Sequence, residues 1–346
     1  MKTKFFQAKT LIPVAILIAL LISSILSFYQ SRVPKKPPII RQVSLNSHFS
    51  QLWEKQFDLG YCTVNADPRS LYACTGDNYI VAMDIATGSI IWRNDMLYLN
   101  GARSLIKSSD TIFATSTFNI YAFNSKDGTC LWSTKLGNGG VGMMLQLDGN
   151  ILRVYYGDNI IEIDPANGQI LKTSPVGSIL WITRGIEIHQ LSQQQNYGMV
   201  AYKQGTTQSL WNTPEQVFVA EEGTIPEILD ANSLVVFVID KGICSLNLDT
   251  GRYTWCMYER PVSDIAIDQK SSIGFFLRED YSLVALDLDT GKELESIQFT
   301  PSTLPSSLLN SSFPYSVALS ENILIVSFGD SDQTFALNIR QPLKTP

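Results

Sequence analysis

Six windows of eleven residues recur along this chain and align without a gap. They are AMDIATGSIIW (Ala82 to Trp92), AFNSKDGTCLW (Ala122 to Trp132), EIDPANGQILK (Glu162 to Lys172), AYKQGTTQSLW (Ala201 to Trp211), SLNLDTGRYTW (Ser245 to Trp255) and ALDLDTGKELE (Ala285 to Glu295). Their turn positions, Gly88, Gly128, Gly168, Thr207, Gly251 and Gly291, are spaced by 40, 40, 39, 44 and 40 residues. A period of about 40 residues with strand-like flanks predicts an all-β chain, a β-propeller of four-stranded blades.

Each window has the chemistry of a hairpin between the third and outer strands of a blade. Residues alternate before the turn, as they do in a strand with two distinguishable faces. An Asp or Asn follows (Asp84, Asn124, Asp164, Asn247, Asp287), whose short side chain accepts backbone N–H bonds. Glycine then supplies the positive φ of a tight turn. The fourth window has Lys203 and Thr207 at these places, which predicts a different turn there. Trp92, Trp132, Trp211 and Trp255 close four of the six windows and are placed to pack between neighbouring blades.

Short apolar runs upstream of the windows read as second strands, and the run at 323–328 adds one more than the windows require. It is followed by TFALN (Thr334 to Asn338), the start of a window without turn or Trp strand, whereas QLWEKQF (Gln51 to Phe57) is a Trp strand with nothing before it. The two fragments complement each other. The strand of Trp53 is therefore expected to be the outer strand of a blade built from residues of about 315–340, closing a ring of seven blades, with eight as the alternative.

The amino end has a different character. Residues 1–10 carry Lys2, Lys4 and Lys9 and no acid, and Leu11 to Phe28 are eighteen residues without a charge. At about 1.5 Å per residue this run makes roughly 27 Å of helix, close to one hydrocarbon thickness. It reads as a single transmembrane anchor through Leu11–Phe28, or else as a cleaved signal segment leaving a secreted protein. Residues 29–48, with Pro34, Pro37 and Pro38, read as a stiff basic linker, and 49–346 as the propeller.

The pattern A-x-D-x-x-T-G-x-x-x-W resembles the quinoprotein-like, pyrroloquinoline-quinone-type propeller repeat. That repeat occurs in quinone-dependent alcohol dehydrogenases and in the propeller lipoprotein of outer-membrane protein assembly, and the resemblance covers roughly residues 49–340. The dehydrogenases have eight blades, an adjacent cysteine pair beside the cofactor and a longer chain, and this sequence has no adjacent cysteines. The resemblance thus implies no bound quinone. The assembly lipoprotein, nearer in kind, carries a lipidated Cys directly after its signal segment, but the first Cys here is Cys62.

Cys244 and Cys256 flank the Asp249-Thr250-Gly251 turn; if Leu248 faces Arg252, they stand opposite each other and form a cross-strand disulfide candidate. Cys62 and Cys74, likewise twelve residues apart, are the second candidate pair. Four buried thiols are the alternative. Disulfides place the propeller outside the cytoplasm and the amino end in the cytosol. Cys130 is left to pack as a small apolar residue.

The net charge of −6 divides unevenly. The first 41 residues hold seven Lys or Arg and no acid, which leaves −13 on the remainder. An acidic propeller is a poor partner for nucleic acid and suits cationic protein segments or cations. Asp287 to Gly291 imitates the start of a calcium loop, but Gln298 stands where the twelfth-position Glu would be needed, so the repeat turn accounts for it. His48 and His189 have no neighbouring Cys or His to suggest a metal site, and no Walker loop, G-x-S-x-G or C-x-x-C occurs. No catalytic, cofactor or metal residue is assigned. The expected function is a membrane-anchored, extracytoplasmic binding or scaffolding propeller for a protein or peptide; the alternative is a reduced quinoprotein-type dehydrogenase or a carboxylate-based hydrolase at the central channel.

Overall fold

The computed structural model describes residues 40–45, 48–56, 65–75, 79–95, 104–137, 143–156, 159–175, 179–183, 185–193, 196–213, 227–228, 233–238, 242–259, 261–301, 315–328, 333–340 and 343. All of its regular structure there is β. Two strands come first, β1 (Ile40–Ser44) and β2 (Phe49–Gln56). The first repeat follows as β3 (Asn65–Ala66), β4 (Ser70–Cys74), β5 (Ile80–Asp84) and β6 (Ile90–Asn94), and the second as β7 (Leu105–Ser108), β8 (Thr111–Thr115), β9 (Asn119–Asn124) and β10 (Cys130–Lys135). The third holds β11 (Met143–Asp148), β12 (Ile151–Tyr156), β13 (Asn159–Ile163) and β14 (Ile170–Pro175). The fourth holds β15 (Ile179–Thr183), β16 (Ile186–Gln193), β17 (Asn196–Lys203) and β18 (Ser209–Thr213). The fifth comprises β19 (Glu227–Ile228), β20 (Ser233–Val238), β21 (Gly242–Asn247) and β22 (Tyr253–Met257). The sixth comprises β23 (Ala266–Asp268), β24 (Ile273–Leu277), β25 (Ser282–Asp287) and β26 (Lys292–Pro301), and the chain ends with β27 (Tyr315–Ser320), β28 (Ile323–Phe328) and β29 (Gln333–Ile339).

These strands form seven antiparallel sheets, six of four strands and one of five. The sheet ordered β2-β29-β28-β27 joins the two ends of the described chain, with Trp53 opposite Ala336. Its outer strand comes from the amino end, which spares β29 a free edge.

The core lies between sheets. Tyr72, Ile80 and Ala82 of the first repeat pack with Leu105, Ile112 and Phe123 of the second. Phe113 and Ala122 meet Leu152 and Ile161, and Ile188 and Ala201 meet Cys244 and Leu246. Ile243 meets Phe276 and Val284, and Phe275 and Phe299 meet Val326 and Phe335. Ala318, Ile325 and Ala336 pack back onto Leu71 and Val81 of the first repeat, so the succession of sheets closes on itself as a β-propeller. Among the described residues, the third and fourth repeats meet in a cluster of Tyr155, Ile160 and Ile182. Middle strands are covered on both faces, as in β5, where Ile80 to Met83 are all buried, whereas β10 alternates half-buried and exposed residues along its length.

In every sheet the pairing of third and outer strands slips by one residue just before the position aligned with Trp. Ala82 faces Trp92 but Met83 faces Ile90, so Ile91 is the bulged residue. A bulge bends the strand and re-aims the side chains beside it. The bulged Leu52, Ile91, Leu131, Leu171 and Leu210 are exposed as a result.

One reading of the sequence needs revision. Residues 40–44, taken as linker, form β1 and pair antiparallel with β26 (Val43 opposite Phe299), giving that sheet its fifth strand. Val43 packs against the Phe299 cluster, which is the apolar contact that draws this segment onto the propeller. The Leu11–Phe28 segment lies outside the described residues, among which no helix is long and apolar enough to cross a membrane.

Candidate interaction surface

The predicted repeat residues meet in pairs, always across a boundary between sheets. The indole of Trp53 lies against Gly88, Trp92 against Gly128, Trp132 against Gly168, Trp211 against Gly251 and Trp255 against Gly291. A Cβ added to Gly128, Gly168 or Gly251 would stand 2.5 Å from the indole carbons. Each of these glycines also has a positive φ, between 66° and 76°, so the residue is required for both backbone and contact. Each Nε1 donates to the carbonyl three residues before the glycine: Ile85 (2.8 Å), Ser125 (2.8 Å), Pro165 (3.1 Å), Leu248 (2.5 Å) and Leu288 (2.6 Å). The indole thus covers the next turn and satisfies one of its carbonyls.

The Asp and Asn residues of the windows hold the same turns in shape. Asp84 Oδ1 accepts the Thr87 N–H at 2.8 Å, Asp164 Oδ1 that of Ala166 at 2.9 Å, Asn247 Oδ1 that of Thr250 at 2.9 Å and Asp287 Oδ1 that of Asp289 at 2.9 Å.

Two places in the ring lack the indole. Glu295 stands at the Trp position of β26, facing Ala285, and its Oε2 lies 2.5 Å from Nδ1 of His48, just ahead of β2. This contact links the last repeat to the residue that leads into the closing sheet, and β1 pairs with the strand. Lys172 stands at the Trp position of β14, facing Glu162, and is exposed. The turn that a tryptophan there would cover is the atypical one: its positive φ falls at Gly205 (72°), and a Cβ on Gly205 would meet nothing within 4 Å. Lys172 and Thr207 are thus one departure, the two halves of a single missing contact. A polar group does join the two sheets: Gln146 Nε2 donates to the Ile182 carbonyl, and Tyr155 Oη, in the same sheet as Gln146, donates to Gln146 Oε1 at 2.9 Å.

Cys244 and Cys256 are bonded, their Cα atoms 4.1 Å apart. The route to this register is not a simple hairpin: Leu246 faces Tyr253, and the bulge at Thr254 brings Cys244 opposite Cys256. Cys74 is disulfide-bonded; Cys62 lies outside the described residues. Cys130 is free and half-buried, and burial pushes its thiol pKa up.

The charged clusters within the described residues are tied up in strand contacts. Arg153, almost wholly buried, donates to Asp148 Oδ2 at 2.8 Å and Glu162 Oε1 at 3.1 Å, and Arg278 bridges Glu259 and Glu293. Burial of Asp67 works to raise its pKa, but the N–H groups of Arg69 and Ser70, the Tyr72 hydroxyl and Lys107 outweigh it and hold the carboxyl below its ordinary value. Burial pushes the Asp264 carboxyl up to about 7. Among the described residues no three His, Cys, Asp or Glu are grouped to hold a metal.

Residues 76–181 match a family described as outer membrane protein assembly factor BamB. The chain carries the pyrroloquinoline-quinone-type repeat and resembles that propeller. Three solved structures are similar to it. BamB from Moraxella catarrhalis is 14% identical, with 87% of this chain and 98% of that one covered at a TM-score of 0.50. The computationally designed Ika8 protein is 13% identical, with 84% and 98% covered at 0.57. The C-terminal WD40 domain of Sif2 is 8% identical, with 86% and 100% covered at 0.59. At such identities the likeness is one of fold. No curated protein matches it in sequence.

Proposed function

We propose that this chain is a membrane-anchored, extracytoplasmic scaffold whose seven-bladed ring binds a protein or peptide partner and performs no catalysis. The observation that carries the reading is the match of residues 76–181 to an outer-membrane assembly factor, since a propeller fold by itself hosts many activities. The Cys244–Cys256 bond supports a compartment that oxidises thiols. The Lys-rich tail and the uncharged Leu11–Phe28 segment support tethering with the amino end in the cytosol. The charged groups described above serve turns and strand pairs, which leaves the ring as a rigid frame for loops and edges.

Cross-linking in intact membranes followed by purification of the full chain tests this. The expected result is one partner in stoichiometric amount. Repeated recovery of the chain alone would refute a scaffold role, and protease protection of the propeller on the cytosolic side would refute the orientation.

A further inference from the structure

One carboxylate stands outside the pattern of held charges. Each of the other Asp and Glu side chains among the described residues that is not exposed has a partner: the N–H groups of its own turn, as at Asp84 and Asp268, an arginine, as at Glu162 and Glu259, or a histidine, as at Glu187 and Glu295. Asp264, just ahead of β23, is half-buried, and among the described residues neither a hydrogen bond nor an ion pair reaches its carboxyl. We propose that the inner end of the sixth repeat around Asp264 is the partner-binding site, and that it receives a lysine or arginine side chain of the bound protein or peptide. The proposal rests on the scaffold reading above and gives it a surface and a partner chemistry.

Position, charge and chemistry support this reading. β23 is the strand of its sheet farthest from β26 and β1, and Ser263 bridges Tyr315 at the start of β27, so Asp264 lies at the inner rim of the ring, where the first strands of neighbouring sheets meet. The Val262 N–H donates to the Leu277 carbonyl at 2.9 Å, which brings the turn at 278–281 to the same end of the sheet. The described charges there are Glu259, Asp264, Glu279 and Asp280 against Arg278, and Arg278 is already engaged by Glu259 and Glu293. A cation arriving at this end therefore finds a carboxylate that no described cation holds. Enclosure by protein pushes the Asp264 carboxyl up to about 7 while solvent still reaches the residue, so near neutral pH its charge weakens the fold and no contact among the described residues offsets this. The donor set does not suit a metal ion. No three His, Cys, Asp or Glu are grouped among the described residues, and the adjacent Ser263 hydroxyl is committed, donating to the main-chain carbonyl of Asp264 at 2.8 Å and accepting the Leu277 N–H at 2.9 Å. The flanking Val262, Ile265 and Ala266 are apolar, and a single carboxylate among apolar residues matches a single positive charge carried on a methylene stem.

The test titrates the full chain in detergent with a fluorescein-labelled peptide, Gly-Leu-Arg-Lys-Leu-Gly, at about 150 mM salt, followed by anisotropy. Saturable binding is expected, about tenfold weaker or more for Asp264→Asn. Binding should be unchanged for Glu321→Gln, which removes a charge from the exposed turn at the opposite end of β27. Should Asp264→Asn not fold, the wild type supplies a second measure: affinity should rise about tenfold between pH 6 and pH 8 as the carboxyl ionises. Absence of saturable binding, equal affinity for wild type and Asp264→Asn, an equal loss in both variants, or affinity indifferent to pH over that range would overturn the proposal. A partner cross-linked equally well to wild type and to Asp264→Asn would overturn this site while leaving the scaffold reading intact, and absence of any partner would remove the reading itself.

Discussion

The Nε1 of Trp53 donates to the carbonyl oxygen of Ile85 at 2.8 Å, across 32 residues of sequence and from the closing sheet to the first repeat. The four other indole contacts repeat this geometry inside the chain, so the closure is made with the same device as every other typical boundary. Trp53→Phe keeps most of the buried ring but leaves that carbonyl without its donor, and should cost about 1–2 kcal/mol of unfolding free energy in urea. Trp53→Ala also leaves a cavity and should cost about 3–5 kcal/mol. If deletion of residues 51–56 left the unfolding midpoint unchanged, closure by the amino-terminal strand would have to be abandoned.

The glycines under the indoles should differ sharply from the glycine under none. Gly251→Ala combines an unfavourable positive φ with a methyl group 2.5 Å from Trp211, and about 2–4 kcal/mol should be lost. Gly205→Ala meets open space and carries only the backbone penalty, about 1 kcal/mol. Equal losses for the two variants would show that the indole contact contributes nothing.

The Cys244–Cys256 bond spans a separation of twelve residues within one hairpin, and its main effect is on the unfolded chain. Replacing both residues with Ser should lower stability by about 2–3 kcal/mol without changing the β signal in circular dichroism. A reductant should then affect the wild type more than the variant, and the reverse order would contradict this assignment.

Asp264 gives a pH dependence of defined sign. Its folded-state pKa, near 7, lies above the ordinary carboxylate value of 3.8, so between these values the native chain binds more protons than the unfolded one. Stability contributed by this group is therefore complete below pH 4 and is lost as pH rises to about 7. Asp264→Asn should remove that slope, so the melting temperatures of variant and wild type should diverge from pH 4 to 7, the variant becoming the more stable. A constant difference across that range would exclude the shift.

The repeat period, the turn acids and the pairing of Thr334–Asn338 with the Trp53 strand were all readable in one dimension. Each depends on residues within one hairpin or on counting similar hairpins. β1 was not readable: Ile40–Ser44 follow a Pro-rich stretch, and their partner on β26 lies more than 250 residues away. The His48–Glu295 contact was hidden for the same reason. Lys172 and Thr207 were both visible as departures, yet nothing in a linear sequence says that a Trp position in one window answers to a Gly position in the next.

That correspondence separates the two levels. Sequence alone determined that the chain is a β-propeller of repeated hairpins, because alternation and turn chemistry act over a few residues and recur about every 40. Tertiary structure decided which residues complete one another, because a blade buries its faces only against its neighbours, and the indole of one repeat finds its glycine and its carbonyl in another. It also decided where that completion stops, at Lys172 and Thr207, which stand where the other boundaries have a tryptophan and its glycine.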